Sequence, residues 1–291
     1  MAIQITYHSQ SIANFIDKKD EENEDAILTN SSGEQFVRFV ICDGAGGAGV
    51  FSRDWAKFLC KSIPETPFVI AKNSKAWFLK SAEQFHDHVI IGKNLSDLVL
   101  NKKVYNDGSY STLCVCWLDL LNNKIYYAGL GDTMMFTFLK TDKDFELKGL
   151  FPVERNKHFN QNPELINWII PLEKDLPVRE EYLNERFNVV IASDSLANWI
   201  ILNVHLIDPS ILKTAGVNQE YLNSLSEEAI LIQKEAIARG TGVKSINGLL
   251  EFLSETCKSK LNFEETMKML YENGEIKIDD YSLINIEGNV S

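Results

Sequence analysis

Phe36–Ser52 reads FVRFVICDGAGGAGVFS. An apolar run of Phe, Val and Ile, with the length and composition of a buried strand, stops at a single carboxylate, Asp43. Gly44, Ala45, Gly46, Gly47 and Gly49 follow at once, so the backbone can turn through conformations that a Cβ forbids or come close to a bound group. A carboxylate where a stiff element meets a glycine-rich turn is well placed to hold a cation or a substrate. Asp-Gly is also an ordinary turn dipeptide, and this stretch alone leaves both readings open. The pattern recurs, however: Phe187–Ser193 (FNVVIAS) is a second apolar run that ends on an acid, Asp194.

On the N-terminal side, Ala26–Thr29 reads as a short strand and Ser31-Ser32-Gly33 as a turn, so residues 25–43 form a hairpin with Asp25 and Asp43 near one end. An acidic loop from Ser11 to Glu24 and a strand over residues 2–8 precede it. On the C-terminal side, apolar residues at helical spacing predict helices over Val50–Ser62 and Ser74–Ile91 against one face of a sheet. Tyr110–Asp119, Lys124–Leu130 and Met134–Leu139 read as strands joined by turns at Leu121-Asn122-Asn123 and Gly131-Asp132-Thr133, an antiparallel meander. Residues 140–186 carry Pro152, Pro163, Pro171 and Pro177 and read as irregular with one short strand. Ser195–Leu202 reads as a short helix. Residues 204–273 are helical, with start signals at Ser224-x-x-Glu227 and Asn262-x-x-Glu265, and Tyr281–Glu287 alternates as a last strand after Asp279 and Asp280. With no repeat and no low-complexity linker, residues 1–291 read as one domain carrying a helical insertion at about 204–273.

Twenty-nine Lys and Arg against 41 Asp and Glu give a net charge of −12 with no basic block, which argues against nucleic acid or an anionic membrane as partner. No basic-then-apolar leader and no run of eighteen apolar residues is present, so a cytoplasmic location is expected. Cys42, Cys60, Cys114, Cys116 and Cys257 show no CxxC spacing and read as reduced core residues. His86 and His88, two apart on a helix, diverge and make a poor metal pair. The acids at strand ends are another matter. Asp25, Asp43, Asp132, Asp194 and Asp279 form an all-oxygen set suited to magnesium or manganese, and carboxylates at that density repel unless a cation sits among them.

Six motifs then stand in order: Asn23-Glu24-Asp25-Ala26; Val40-Ile41-Cys42-Asp43-Gly44-Ala45-Gly46-Gly47; Gly108-Ser109 through Thr112-Leu113; Gly129-Leu130-Gly131-Asp132-Thr133; Ala192-Ser193-Asp194-Ser195-Leu196; and Asp279-Asp280-Tyr281-Ser282. Over nearly the whole chain this order resembles the metal-dependent PP2C-type serine/threonine phosphatases of bacterial type. The resemblance implies an α+β fold, a four-layer sandwich of two antiparallel β-sheets flanked by helices on both sides. It implies two manganese or magnesium ions, with Asp43 bridging them, Asp25 and the carbonyl of Gly44 serving one, and Asp194 and Asp279 the other. Asp132 matches an acid that, with the one at Asp194, holds a third ion in several bacterial members, and Glu24 matches an acid that binds metal-bound water. The implied activity is hydrolysis of phosphoserine and phosphothreonine by a metal-activated water, on a phosphorylated protein linked to a serine/threonine kinase.

Three positions depart from the family. Asp20 stands where an arginine usually clasps the substrate phosphate, which leaves Lys18 and Lys19 as candidates for phosphate binding, without the bidentate fork of arginine. Ala45 stands in place of the histidine that many eukaryotic members carry, and Ser195 in place of the glycine of Ser-Asp-Gly. If that glycine position needs positive φ, the change costs roughly 1 kcal/mol. The alternative function is a catalytically weak or inactive PP2C-like regulatory or scaffold protein, favoured by Asp20. A further alternative is a phosphatase of small metabolites.

Overall fold

Runs that alternate between two apolar environments make the strands of this protein. In β3 (Phe36–Cys42), Val37, Phe39 and Ile41 face one cluster of buried residues while Val40 and Cys42 face another. In β11 (Arg186–Ala192), Phe187, Val189 and Ile191 share the first cluster, and Val190 and Ala192 face a third. A strand apolar on both sides belongs inside a layered molecule, because successive side chains leave opposite faces of the sheet. The computed structural model describes residues 3–30, 35–46, 49–71, 73–142, 144–152, 164–183, 185–215, 217, 227–240 and 242–290.

The first sheet runs β1 (Ile3–Ile12), β12 (Tyr281–Val290), β11, β7 (Met134–Lys140), β8 (Phe145–Phe151), and the second β10 (Val178–Tyr182), β6 (Lys124–Leu130), β5 (Leu113–Asp119), β3, β2 (Ala26–Asn30). All neighbours in both are antiparallel. Phe39, Ile41, Cys114 and Tyr127 of the second sheet pack on Met135, Val189, Ile284 and Ile286 of the first. Outside the second sheet lie α1 (Ser52–Ser62), α2 (Phe68–Ala71), α3 (Ser74–Phe85) and α4 (Leu98–Asn106), with Trp55, Leu59, Phe78 and Phe85 buried on the strands. Outside the first lie α5 (Asp194–Ile207), α6 (Pro209–Thr214), α7 (Glu227–Arg239), α8 (Ile246–Cys257) and α9 (Lys260–Glu272), which bury Leu196, Ile200, Leu253, Phe263 and Met267. A small pair, β4 (Tyr110–Ser111) with β9 (Ile166–Asn167), closes one end. The architecture is helix, sheet, sheet, helix.

Several expectations change. The strands over residues 110–139 are no meander: β6 pairs with β5 and β10, and β7 pairs with β8 and β11 in the other sheet. The Gly131–Thr133 link therefore crosses between sheets, with Gly131 at φ 105°. Residues 140–186 hold β8, β9 and β10 rather than one short strand; in β8 buried Phe145 and Leu147 alternate with exposed Glu146 and Lys148, and the charges mask the period. The helix after Asp194 extends to Ile207. α9 is capped not by Asn262 but by Ser259, whose Oγ accepts from the Asn262 N–H at 3.1 Å. Ser224 and the Ser31-Ser32-Gly33 turn lie outside the described residues. Among the described residues no helix is long and apolar enough to cross a membrane.

Candidate metal centre

Strand register gathers the acids. Ala26 pairs with Cys42, so the residues just beyond the pair at the same end of the hairpin are Asp25 and Asp43. In the other sheet, Ala192 pairs with both Leu283 and Met134. Asp194 therefore comes off the end of β11 between the segment before β12, with Asp279 and Asp280, and the link before β7, with Asp132. Two reciprocal bonds hold this junction: the Ser193 N–H donates to the Ser282 carbonyl at 3.0 Å, and the Ser282 N–H to Ser193 Oγ at 2.9 Å.

Asp43 is held on both sides of its peptide. Its N–H donates to Thr112 Oγ1 at 2.9 Å, and its carbonyl accepts from the Thr112 N–H at 2.8 Å. Thr112 is tied in turn to Thr133 of the crossing link, hydroxyl to hydroxyl, at 2.6 Å. The next residue must be glycine, because a Cβ on Gly44 would lie 2.9 Å from the Glu24 carbonyl oxygen and from the Ser52 carbonyl group. The Gly44 carbonyl accepts from the Gly46 N–H at 3.0 Å, which leaves it one lone pair.

The electrostatics report a shared site. Asp43 is part-exposed as a residue, yet its carboxyl is walled in. Lost hydration, followed by the charges of Asp25, Asp194, Asp279 and Asp132, holds it well above the usual carboxylate range. Burial and then the charges of Asp280 and Asp194 push Asp25 up to about 7. Burial, Asp194 and Asp25 push Asp279 to about 8, and burial with Asp194 pushes Asp132 to about 6. Both carboxylate oxygens of Asp25 are buried without a hydrogen-bond partner. Buried oxygens with unspent lone pairs, in the field of other carboxylates, are the kind of donor a hard divalent cation takes, so these residues suit such an ion in their chemistry. Among the described residues no group of three or more such side chains is arranged to enclose a metal ion. What the structure contains is acids in one field, not a preformed coordination shell.

The remaining site candidates divide. The Lys18 ammonium donates to Glu24 Oε2 at 2.8 Å and to Asp280 Oδ2 at 3.0 Å. Burial alone would lower the Lys18 pKa, but these two partners raise it above the ordinary lysine value. Lys19 is exposed, with its N–H on Glu22 Oε2 at 2.8 Å. Asp20 is exposed and paired with Lys260. Ser195 lies in the first turn of α5 and is not among the residues with positive φ, so the family's glycine is not demanded there. Asp280 is a residue of this region that the sequence does not single out. It accepts the N–H of Asn14 at 2.8 Å and of Glu24 at 2.7 Å besides Lys18, and so fastens the loop before β2 to the segment before β12. Its only sequence signal is adjacency to Asp279.

No family model matches the chain, and no curated protein is similar to it in sequence. Solved structures are similar in fold. A Streptococcus agalactiae serine/threonine phosphatase is 12% identical over 97% of this chain and 99% of its own, with a TM-score of 0.50. A bacterial serine phosphatase carrying a single substitution is 11% identical over 99% of both chains, also with a TM-score of 0.50. With two antiparallel sheets between helical layers, the fold of this chain is that of the PP2C-type serine/threonine phosphatases.

Proposed function

We propose that the protein is a metal-dependent phosphatase that removes phosphate from phosphoserine or phosphothreonine of a protein substrate. The observation that carries this reading is the convergence of aspartates from both sheets on one buried field, with the Asp25 oxygens unspent. In this reading Asp43, which feels four other carboxylates, would hold two divalent ions together with Asp25, the Gly44 carbonyl, Asp194 and Asp279, and Asp132 would be available to a third. Two divalent cations so held would supply an ionised water as nucleophile and neutralise the charge on the phosphoryl oxygens. The chain's own part is placement. Thr112 fixes the Asp43 peptide, Asp280 fixes the Glu24 peptide, and Lys18 holds the Glu24 carboxylate. An ammonium has three donors and two of Lys18's are spent, so one remains for a phosphoryl oxygen.

The second reading, a protein that keeps the fold without efficient turnover, is favoured by Asp20: at the position of the phosphate-clasping arginine it carries a negative charge paired with Lys260. One experiment decides between them. Phosphate release from p-nitrophenyl phosphate and from a phosphothreonine peptide is measured with manganese, with magnesium and with EDTA. Release that needs the cation and falls by about 10³-fold or more in Asp43→Asn and Asp194→Asn is the expected result. Folded wild-type protein with no release in manganese would establish the second reading.

A further inference from the structure

Lys18 and Lys260 are engaged with carboxylates, but three cations of α1 are not. Arg53, Lys57 and Lys61 stand four residues apart and line one stripe of the helix, about 12 Å from first to last. Among the described residues none of the three has a carboxylate within ion-pair distance. The acid beside them, Asp54, is taken by Lys93 at 2.6 Å. The Nε of Arg53 is buried and has no hydrogen-bond partner. The stripe is close enough for its charges to be felt: burial first, and then Arg53 and Lys61, lower the Lys57 pKa against the opposing pull of Asp54.

The stripe begins at the acid cluster. Ser52, the residue before Arg53, packs against Gly44 so closely that a Cβ there would meet its carbonyl, and Ser52 Oγ donates to the Ala45 carbonyl at 3.0 Å. α1 then leads away, with Arg53 at the near end and Lys61 at the far end. A line of cations with no acid partner among the described residues, on a chain of net charge −12, is complementary to an anion lying along it. An anionic substrate that approached the aspartates alone would be repelled by them. Resting on the phosphatase reading above, we propose that Arg53, Lys57 and Lys61 form a docking rail for acidic residues flanking the phosphorylated side chain of a protein substrate.

The test is direct binding, read by fluorescence anisotropy. The probe is a labelled peptide with a non-hydrolysable phosphonate in place of the phosphothreonine and aspartates on both sides, bound to the full chain in manganese over roughly 50 to 500 mM NaCl, a span across which screening becomes strong. Lys57→Gln/Lys61→Gln is expected to weaken binding by about fivefold at the low end of that range, with the difference from wild type vanishing at the high end. Arg53→Gln is a second, independent variant with the same expected direction, and thermal melts confirm that each is folded. Equal affinity and equal salt dependence of wild type and both variants would overturn the rail, as would failure of the wild type to bind the peptide. Equally tight binding of a single-stranded DNA of the same charge would overturn the assignment to a peptide. Metal-dependent release from p-nitrophenyl phosphate by the wild type reads the phosphatase proposal separately, because that small substrate has no flanking residues to dock.

Discussion

Between the two sheets, Val37, Phe39 and Ile41 of β3 meet Met135, Val189 and Ile284, all almost wholly buried. At the end of the same strand Asp43 lies in the field of Asp25, Asp194, Asp279 and Asp132. Apolar side chains gain from being brought together, whereas carboxylates lose, and their pKa values rise until one form or a counter-ion relieves them. The first region therefore sets where the second must be. Rigid strands fix the position of residues that would otherwise move apart, and the stability of the inter-sheet layer offsets the cost of the acids.

The largest effect is expected on the apolar side. Phe39→Ala removes a fully buried ring and is expected to cost about 3–5 kcal/mol in urea unfolding. A loss below about 1 kcal/mol would mean that the layer between the sheets does not support the strand that ends in Asp43.

From the acidic side the sign reverses. In the folded chain Asp132, Asp25 and Asp279 give up their protons at about 6, 7 and 8, against an ordinary 3.8. Below that ordinary value folded and unfolded chains both hold these protons. As pH rises toward 8 the unfolded chain releases them first, so unfolding releases protons and stability falls across the window. Asp25→Asn, which cannot ionise, is expected to stabilise EDTA-treated protein by on the order of 1–3 kcal/mol at the top of this window, with no gain at its bottom. If Asp25 serves a metal ion as proposed, the gain should disappear or reverse in saturating manganese, because the variant would give up a carboxylate donor. Melts of wild type and variant at several pH values, with EDTA and with manganese, measure both. A gain that is independent of pH would remove the electrostatic account.

Lys18→Met acts at the border of the acidic region. It leaves Glu24 and Asp280 without their shared ammonium, and, because Lys18 is partly exposed, the expected cost is about 1 kcal/mol in chemical denaturation. The smallest effect belongs to Ser195→Gly. Ser195 is helical and its Oγ donates to the Lys277 carbonyl at 3.2 Å, so restoring the family's glycine is expected to destabilise by about 0.5–1 kcal/mol. A gain on this substitution would show that the backbone there prefers a conformation only glycine adopts easily.

Much of the fold is legible in the chain itself. The β-branched and aromatic run over Phe36–Cys42 and the glycines after Asp43 are local signals, and a strand that stops on an acid needs no long-range information. The crossing at Gly131–Thr133 is not legible, because a short glycine-containing turn looks the same whether the next strand returns to its own sheet or enters another. β8 and β10 are hidden by the charges on their exposed faces. Most of what escapes in the site is contact at long sequence separation. Lys18 meets Asp280 across 262 positions, and nothing near either residue announces the other. Asp279 and Asp280 are chemically identical and adjacent, yet Asp279 lies in the field of Asp194 and Asp25, while Asp280, whose charge also reaches Asp25, is spent on Lys18 and two backbone amides.

The crossing link has one further consequence. Asp25 and Asp43 flank strands of one sheet, Asp194 and Asp279 flank strands of the other, and Asp132 lies on the segment that joins them. Neither sheet alone presents both halves of this set. An ion that needs them all would recognise only chains whose two sheets have already docked in register, so its affinity would act as a proofreading signal for completed folding.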